Sequence, residues 1–387
     1  LYMKIYCDIM IQYKRFFPLL DLSIQENVFT DIEFTNNIKK CDLILFLVNS
    51  GKSLINIETL NKKTMKLEKP VGDNKLDWVK YNILSVANDN IKPKDYFSYN
   101  KPVILIERLD SAITWIREFD KYPNIIGIVK NRITRENKYN NVELYTGRYH
   151  AKLITDYLDK KDIIPVSNSK IKKVDIASKF FQDFKKLPKI SEDNFKKFHA
   201  LLFDFRSSPL SHLMNFYKNN MCEEKTIDVF CVHTIKPGVI GQHRKKAIDI
   251  VNKMQLKKEI SCFTENCEKS VYQSQFVKSK ICVACWGFGE WTHMDGYAMY
   301  SKTILIKPNT DYVKMDPDLY NSKRYIPCKP DYSDLEEIIT NVLANYDNYQ
   351  NMLNDNKDFI MSLSKEQVAR NFWAKIKEIY NNYVNIA

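Results

Sequence analysis

Short apolar runs bounded by polar residues recur along this chain. They occupy residues 4–7, 43–48, 103–106, 125–129 and 163–166, and they end in polar or turn residues such as Asp8, Asn49, Glu107, Asn131 and Asn168. Runs this short, apolar throughout rather than alternating, predict strands buried on both faces, as parallel strands are. Stretches with helical spacing lie between them, among them 111–119, where Ser111 is placed to cap, and 150–158. Strand and helix patterns alternating over residues 1 to about 190 imply a parallel sheet with helices on both faces. Residues 57–99 show no regular pattern.

From residue 191 the pattern changes to a helical stretch over 191–205, a turn at 206–209 and a further helical piece to 220. A second alternation then starts: strand 227–233, helix 242–254, strand 259–263, helix 268–278 and strand 281–285. It continues through a glycine-containing turn, a helix from His293, strands 303–306 and 325–328, and a long helical run from Asp334 to about residue 363. Residues 365–383 place Val368, Phe372, Ile376, Ile379, Tyr380 and Tyr383 on one stripe, which predicts an amphipathic helix. The expectation is an α/β protein of two Rossmann-like, doubly wound domains, 1–220 and 221–364, facing each other across a cleft. The helix at 365–387 is expected to pack back on the first domain. Ligands of such sheets bind outside the carboxyl ends of the strands, so two facing domains direct attention to the space between two sets of strand ends.

Composition narrows the class. At 387 residues and 44% hydrophobic content the chain can bury two domain-sized cores. No apolar run reaches the length of a membrane span, and the N-terminus lacks the pattern of a signal peptide. Nine cysteines without a regular framework fit a reducing compartment, so a soluble, cytoplasmic protein is expected, with peripheral membrane contact left open. The net charge of +12 suits nucleic acid, an anionic membrane surface or phosphorylated small molecules, and equally a lysine-rich solvated surface. Lysines cluster over 170–189, and His243, Arg244, Lys245 and Lys246 follow a strand and two glycines, a more pointed position.

The densest candidate chemistry lies in residues 279–307. Here a short strand feeds Gly287, Phe288 and Gly289 and then a helix start, the order of parts by which α/β folds bring backbone N–H groups and a helix dipole to a phosphate. The layout of the second half resembles the donor half of GT-B glycosyltransferases. The resemblance covers residues 226–363 and is carried by VHTIKPGVIGQHRKKAIDIV with Arg244 at a helix start, by KICVACWGFGE, by HMDGYAMYSKTILI and by YIPCKPDYSDLEEIITNVL. The first half matches by fold pattern alone. The resemblance implies transfer of a sugar from a nucleotide-activated donor to a hydroxyl of a glycan or glycoconjugate, with the nucleotide-sugar as co-substrate, no other cofactor and no metal. It implies that Gly287, Phe288 and Gly289 approach the diphosphate, that Glu290 meets sugar hydroxyls, and that Thr292 and His293 face the phosphates. Asp295 would then accept from ribose hydroxyls, and Arg244 would contact a phosphate bidentately. Retaining members often carry two glutamates seven residues apart, the first just before this turn; Trp286 stands there instead, which favours an inverting enzyme. An inverting transfer needs one base on the acceptor hydroxyl, and Asp8, Glu107 and Asp110 are the carboxylates at N-terminal strand ends.

Other chemistries compete. Cys262, Cys267, Cys282 and Cys285 approach zinc-ribbon spacing, but alternation along a strand would point Cys282 and Cys285 to opposite faces. Nucleic-acid binding would use the charge and the aromatics, yet the aromatics fall in apolar periodic segments, so no nucleic-acid partner is expected. A catalytically inactive sugar-nucleotide-binding scaffold is the third reading.

Overall fold

The computed structural model describes residues 2–8, 31–35, 37–48, 99–107, 111–114, 122–145, 148–157, 184–185, 187–202, 224–235, 238–287, 289–320 and 323–386. Within them the chain builds two parallel sheets, each flanked by helices: two Rossmann-like halves in a GT-B-like arrangement. The N-terminal sheet comprises β1 (Met3–Asp8), β2 (Ile32–Thr35), β3 (Leu43–Val48), β4 (Val103–Glu107), β5 (Ile125–Lys130) and β9 (Phe198–Ala200), in the order β2-β1-β3-β4-β5-β9. The C-terminal sheet comprises β10 (Ile227–Phe230), β11 (Cys262–Phe263), β12 (Ser279–Val283), β13 (Ile304–Pro308) and β15 (Ile326–Cys328), in the order β11-β10-β12-β13-β15. Every pairing in both sheets is parallel. The continuous apolar runs explain this, since β4 is buried at all five positions and β13 likewise. In both sheets the order of growth reverses beside the first strand, between β1 and β3 and between β10 and β12. Those are the points at which open α/β sheets accept ligands.

The helices are α1 (Tyr149–Thr155), α2 (Glu192–Phe195), α3 (Val239–Leu256), α4 (Lys269–Val277), α5 (His293–Tyr300), α6 (Leu335–Ala344), α7 (Gln350–Ser362) and α8 (Lys365–Val384). Two differ from the sequence expectation. The stretch 191–205 forms only one helical turn, α2, before β9 joins the sheet beside β5. Phe195 and Phe198 pack in the same apolar cluster on that sheet, so their three-residue spacing mimics a helix while pairing with β5 decides the outcome. The run expected from Asp334 to about residue 363 breaks at Asn345, whose backbone (φ −120°, ψ 26°) leaves the helical region amid residues of weak helix propensity.

The halves are joined by more than one contact. β6 (Ile133–Thr134), just after β5, pairs antiparallel with β14 (Val313–Lys314), just after β13, and a second small ladder, inside the N-terminal half, pairs β7 (Leu144–Tyr145) with β8 (Phe184–Lys185). One apolar cluster runs across the seam, including Ile106 and Val129 on one side and Phe230, Trp286 and Tyr320 on the other. Helix α8, capped by Ser364 accepting from Gln367 N, lies on the N-terminal half. There Trp373 meets Phe34 edge to face at 5.5 Å, and Lys377 pairs with Asp31 at 2.6 Å. Gly127 in β5 permits this approach, because a Cβ there would sit 2.9 Å from Ile379 Cγ2. The junction near residue 220 lies outside the described residues. Among the described residues no helix is long and apolar enough to cross a membrane.

Candidate functional site

The loops at the carboxyl ends of the two sheets meet. At the C-terminal switch point, the chain leaving β10 runs through Cys231–Ile235 and enters α3 at Gly238, whose φ of 97° is left-handed. Only glycine takes that conformation without strain. No side chain caps this helix, so its first N–H groups are not satisfied by the side chain at its start, the arrangement that favours an anion. Arg244 lies about one turn further on and is half-buried. Its Nη1 donates to Thr234 O at 3.0 Å and its Nε to Trp286 O at 3.2 Å, so one guanidinium spans the ends of β10 and β12. Its Nη2 faces the turn, where a Cβ on Gly287 would sit 3.2 Å from it. The turn itself closes through Gly287 N donating to Gly289 O at 3.1 Å.

Aromatic and imidazole rings support this turn. His243 stacks between Trp286 (5.6 Å, 15°) and Tyr332 (4.4 Å, 28°), and its Nε2 lies 2.9 Å from Pro330 O. His233 Nε2 lies 2.9 Å from Val283 O. A carbonyl can only accept, so in both rings Nε2 carries the hydrogen. Burial, reinforced for His233 by the Arg244 charge, pushes both rings down to about 3, and they are neutral at physiological pH.

Glu290, directly after the turn, is fully buried and faces the N-terminal half. Its carboxylate accepts from Ala112 N at 2.9 Å, Ser111 Oγ at 3.3 Å and Tyr312 OH at 3.2 Å, and lies 3.2 Å from His150 Nδ1. His150, on α1, reaches Gly287 O with Nε2 at 3.2 Å. Its two ring nitrogens thus bridge the Glu290 carboxylate and the Gly287 carbonyl. Burial alone would raise the Glu290 carboxyl, but the His150 hydrogen bond and charge and the nearby Arg132 hold it down to about 2.

The remaining expected residues fall as follows. Asp295 is fully buried: its oxygens accept from Thr292 N (3.0 Å), Thr292 Oγ1 (3.0 Å), Lys307 Nζ (2.7 Å) and Tyr320 OH (2.8 Å). It therefore braces the start of α5 and neutralises a buried lysine. Thr292 is half-buried and His293 exposed, its ring edge-on to Tyr297. Glu107, at the end of β4, is sealed with Lys130 at 3.0 Å and accepts from Thr114 Oγ1 at 2.7 Å. Asp8 ends β1 opposite Phe46 of β3, at the N-terminal switch point. Asp110 and Phe288 lie outside the described residues. Gly287, Glu290, Arg244 and the α5 start thus gather at one place, and Glu107 lies across the seam from them.

Two residues were not singled out from the sequence. His150 read only as a helix start, and its partners lie 137 and 140 residues away. Arg132 follows β5 and is 2% exposed, with Nε and Nη1 having no hydrogen-bond partner. A basic residue just past an apolar run, Lys130-Asn131-Arg132, was the available signal. Cys282 and Cys285 fall in different apolar clusters, on opposite faces of the C-terminal sheet, and Cys262 Sγ lies 3.1 Å from Gln255 Oε1. Among the described residues no group of three or more His, Cys, Asp or Glu side chains is arranged to hold a metal ion.

No family model matches this chain. No curated protein matches it either. Among solved structures, a protein from Listeria monocytogenes assigned as a UDP-N-acetylglucosamine 2-epimerase aligns over 99% of this chain and 98% of its own, at 10% identity and a TM-score of 0.36.

Proposed function

We propose that this protein is a glycosyltransferase that holds a nucleotide-activated sugar at the switch point between β10 and β12 and transfers the sugar, with inversion and without a metal, to a hydroxyl acceptor. The observation that carries the reading is Arg244, whose guanidinium spans the carboxyl ends of both strands, beside a glycine turn and the uncapped start of α3. A guanidinium, backbone N–H groups and a helix N-terminus together supply what a diphosphate needs without a metal. In this proposal Arg244, Gly287, Phe288 and Gly289 meet the diphosphate, with Thr292 and His293 at the rim. Glu290 and Asp295 act through the turn and helix they brace, since their oxygens already have internal donors.

In the transfer the acceptor oxygen bonds to the anomeric carbon as the bond to the diphosphate oxygen breaks. The acceptor proton passes to a base at the carboxyl end of the N-terminal sheet, for which Asp8 and Asp110 are the candidates; Glu107 is closed off by Lys130 and Thr114. The test is a thermal-shift screen of the purified chain against UDP, GDP, dTDP, CMP and their sugars, repeated with Arg244→Ala. A ligand bound only by the folded state stabilises in proportion to the logarithm of its concentration. Stabilisation by one nucleotide diphosphate that disappears in Arg244→Ala supports the reading; no shift at millimolar ligand removes it.

A further inference from the structure

Four buried ionisable side chains of the two halves are matched one to one. Glu107 pairs with Lys130 and Asp295 with Lys307, and all four side chains are sealed from solvent. Glu290 faces His150 as well as two hydroxyl groups and a backbone N–H. Arg132 lies close enough to act electrostatically on Glu290, Lys130, Tyr312 and Tyr320, yet it donates neither Nε nor Nη1 to any of them. A buried guanidinium with two nitrogens that no protein acceptor meets is costly unless something else supplies the acceptors. Proteins keep such groups where a ligand completes them.

The location fits a ligand. Arg132 stands where the chain leaves the carboxyl end of β5 and crosses as β6 to pair with β14, so it lies on the seam between the two sets of strand ends. Glu290 links it to the turn beside Arg244, through His150 and Gly287 O. Arginine suits planar or tetrahedral oxyanions, for which it offers charge and fixed donors together.

We propose that Arg132 anchors a buried oxyanion subsite, and that the molecule on which this protein acts carries a carboxylate or phosphate group that enters it. The proposal rests on the reading above only in calling that molecule a transferase substrate. The subsite is separate from Arg244, which is already held by two carbonyls, and it would make the protein selective for acidic over neutral sugars.

The experiment compares wild type, Arg132→Met, Arg132→Lys and Arg244→Ala by thermal unfolding and calorimetric titration, at constant ionic strength. The probes are inorganic phosphate, glucuronate and, as the neutral partner of glucuronate, glucose. Phosphate or glucuronate should stabilise both wild type and Arg244→Ala, with glucose inert. Arg132→Met should weaken the anion by roughly ten- to a hundredfold, the loss typical of a charge-assisted contact, and Arg132→Lys by less. A response to phosphate alone assigns a phosphorylated substrate, and a response to glucuronate alone assigns a carboxylate. The proposal fails if neither anion stabilises Arg244→Ala, or if Arg132→Met responds as wild type does. Should Arg132→Met not fold, Arg132→Lys binding the anion as tightly as wild type overturns it. Arg132-dependent anion binding with no nucleotide response in wild type removes the donor reading and leaves this one standing.

Discussion

Among the described residues each half of the molecule buries a lysine–carboxylate pair near the carboxyl ends of its strands, Glu107 with Lys130 in the N-terminal half and Asp295 with Lys307 in the C-terminal half. The pairs look alike but differ in their surroundings. Asp295 is enclosed by four donors from its own domain, among which Lys307 supplies the positive charge. Glu107 and Lys130 have Arg132 as a third neighbour, a cation with donors to spare. Burial pushes the Lys130 ammonium down, and Arg132 adds to that push while Glu107 opposes it. The C-terminal pair is closed and structural, whereas the N-terminal one has beside it a buried guanidinium with two donors that no protein group accepts from.

The largest expected effect breaks the closed pair. Lys307→Met leaves Asp295 charged in a sealed site, and loss of one partner of a buried pair costs ~3–5 kcal/mol. A marked fall in the urea midpoint checks this, and adding Asp295→Asn should restore most of it because no charge then remains. Lys130→Met should cost less, about 1–3 kcal/mol, because Arg132 can turn to Glu107 and replace the lost cation. The same turn would occupy Arg132, so phosphate or glucuronate should stabilise Lys130→Met less than wild type. If Lys130→Met proves as damaging as Lys307→Met, the two pairs are equivalent and the contrast disappears.

Acid provides an intermediate effect with a definite sign. His233 and His243 have folded-state values near 3 against an ordinary 6.5, so below pH 6.5 the unfolded chain takes up protons that the folded one refuses. Their contribution is complete above pH 6.5 and is lost progressively toward pH 3. Glu290, held at about 2 against an ordinary 4.5, contributes above pH 4.5 and loses that contribution as pH falls toward 2. Unfolding midpoints should therefore decline in two overlapping stages on acidification, and His243→Phe should flatten the upper one while keeping a stacking ring between Trp286 and Tyr332. A midpoint independent of pH between 6.5 and 4.5 would contradict the neutral, enclosed rings.

Much of this was legible in the sequence. The parallel strands announce themselves because burial on both faces leaves nothing but apolar residues for four to six positions, and polar residues at their ends mark where side chains meet at the seam. Glu290 and Asp295 were recognisable as the acidic residues around a glycine turn. What a single sequence does not reveal is that both carboxylates turn inward, because their partners Ser111, His150, Lys307 and Tyr320 come from other elements. Arg132 escaped for the same reason. Nothing local distinguishes it from the chain's many surface cations, and only its enclosure by two domains makes its unused donors significant. The edge strand β9 was hidden because phenylalanines three apart serve a turn followed by a strand as well as they serve a helix.

The smallest effect on stability bears most directly on Arg244. A methyl group on Gly287 would stand 3.2 Å from Arg244 Nη2 and 3.8 Å from Gly289 O and Thr292 Cγ2. Only the arginine is tightly approached, and it is the far end of a flexible side chain, so Gly287→Ala should cost no more than about 1 kcal/mol in unfolding. The guanidinium must give way, however, and it can do so only by loosening its bonds to Thr234 O and Trp286 O. If that guanidinium receives the diphosphate, Gly287→Ala should weaken the stabilising nucleotide by roughly tenfold, the equivalent of 1.4 kcal/mol. Anion binding at Arg132 should meanwhile stay as in wild type, since the substitution touches neither Arg132 nor Glu290. A variant that loses both responses together would mean that the two arginines serve a single site, and the distinction between the closed and the open half of the seam would have to be withdrawn.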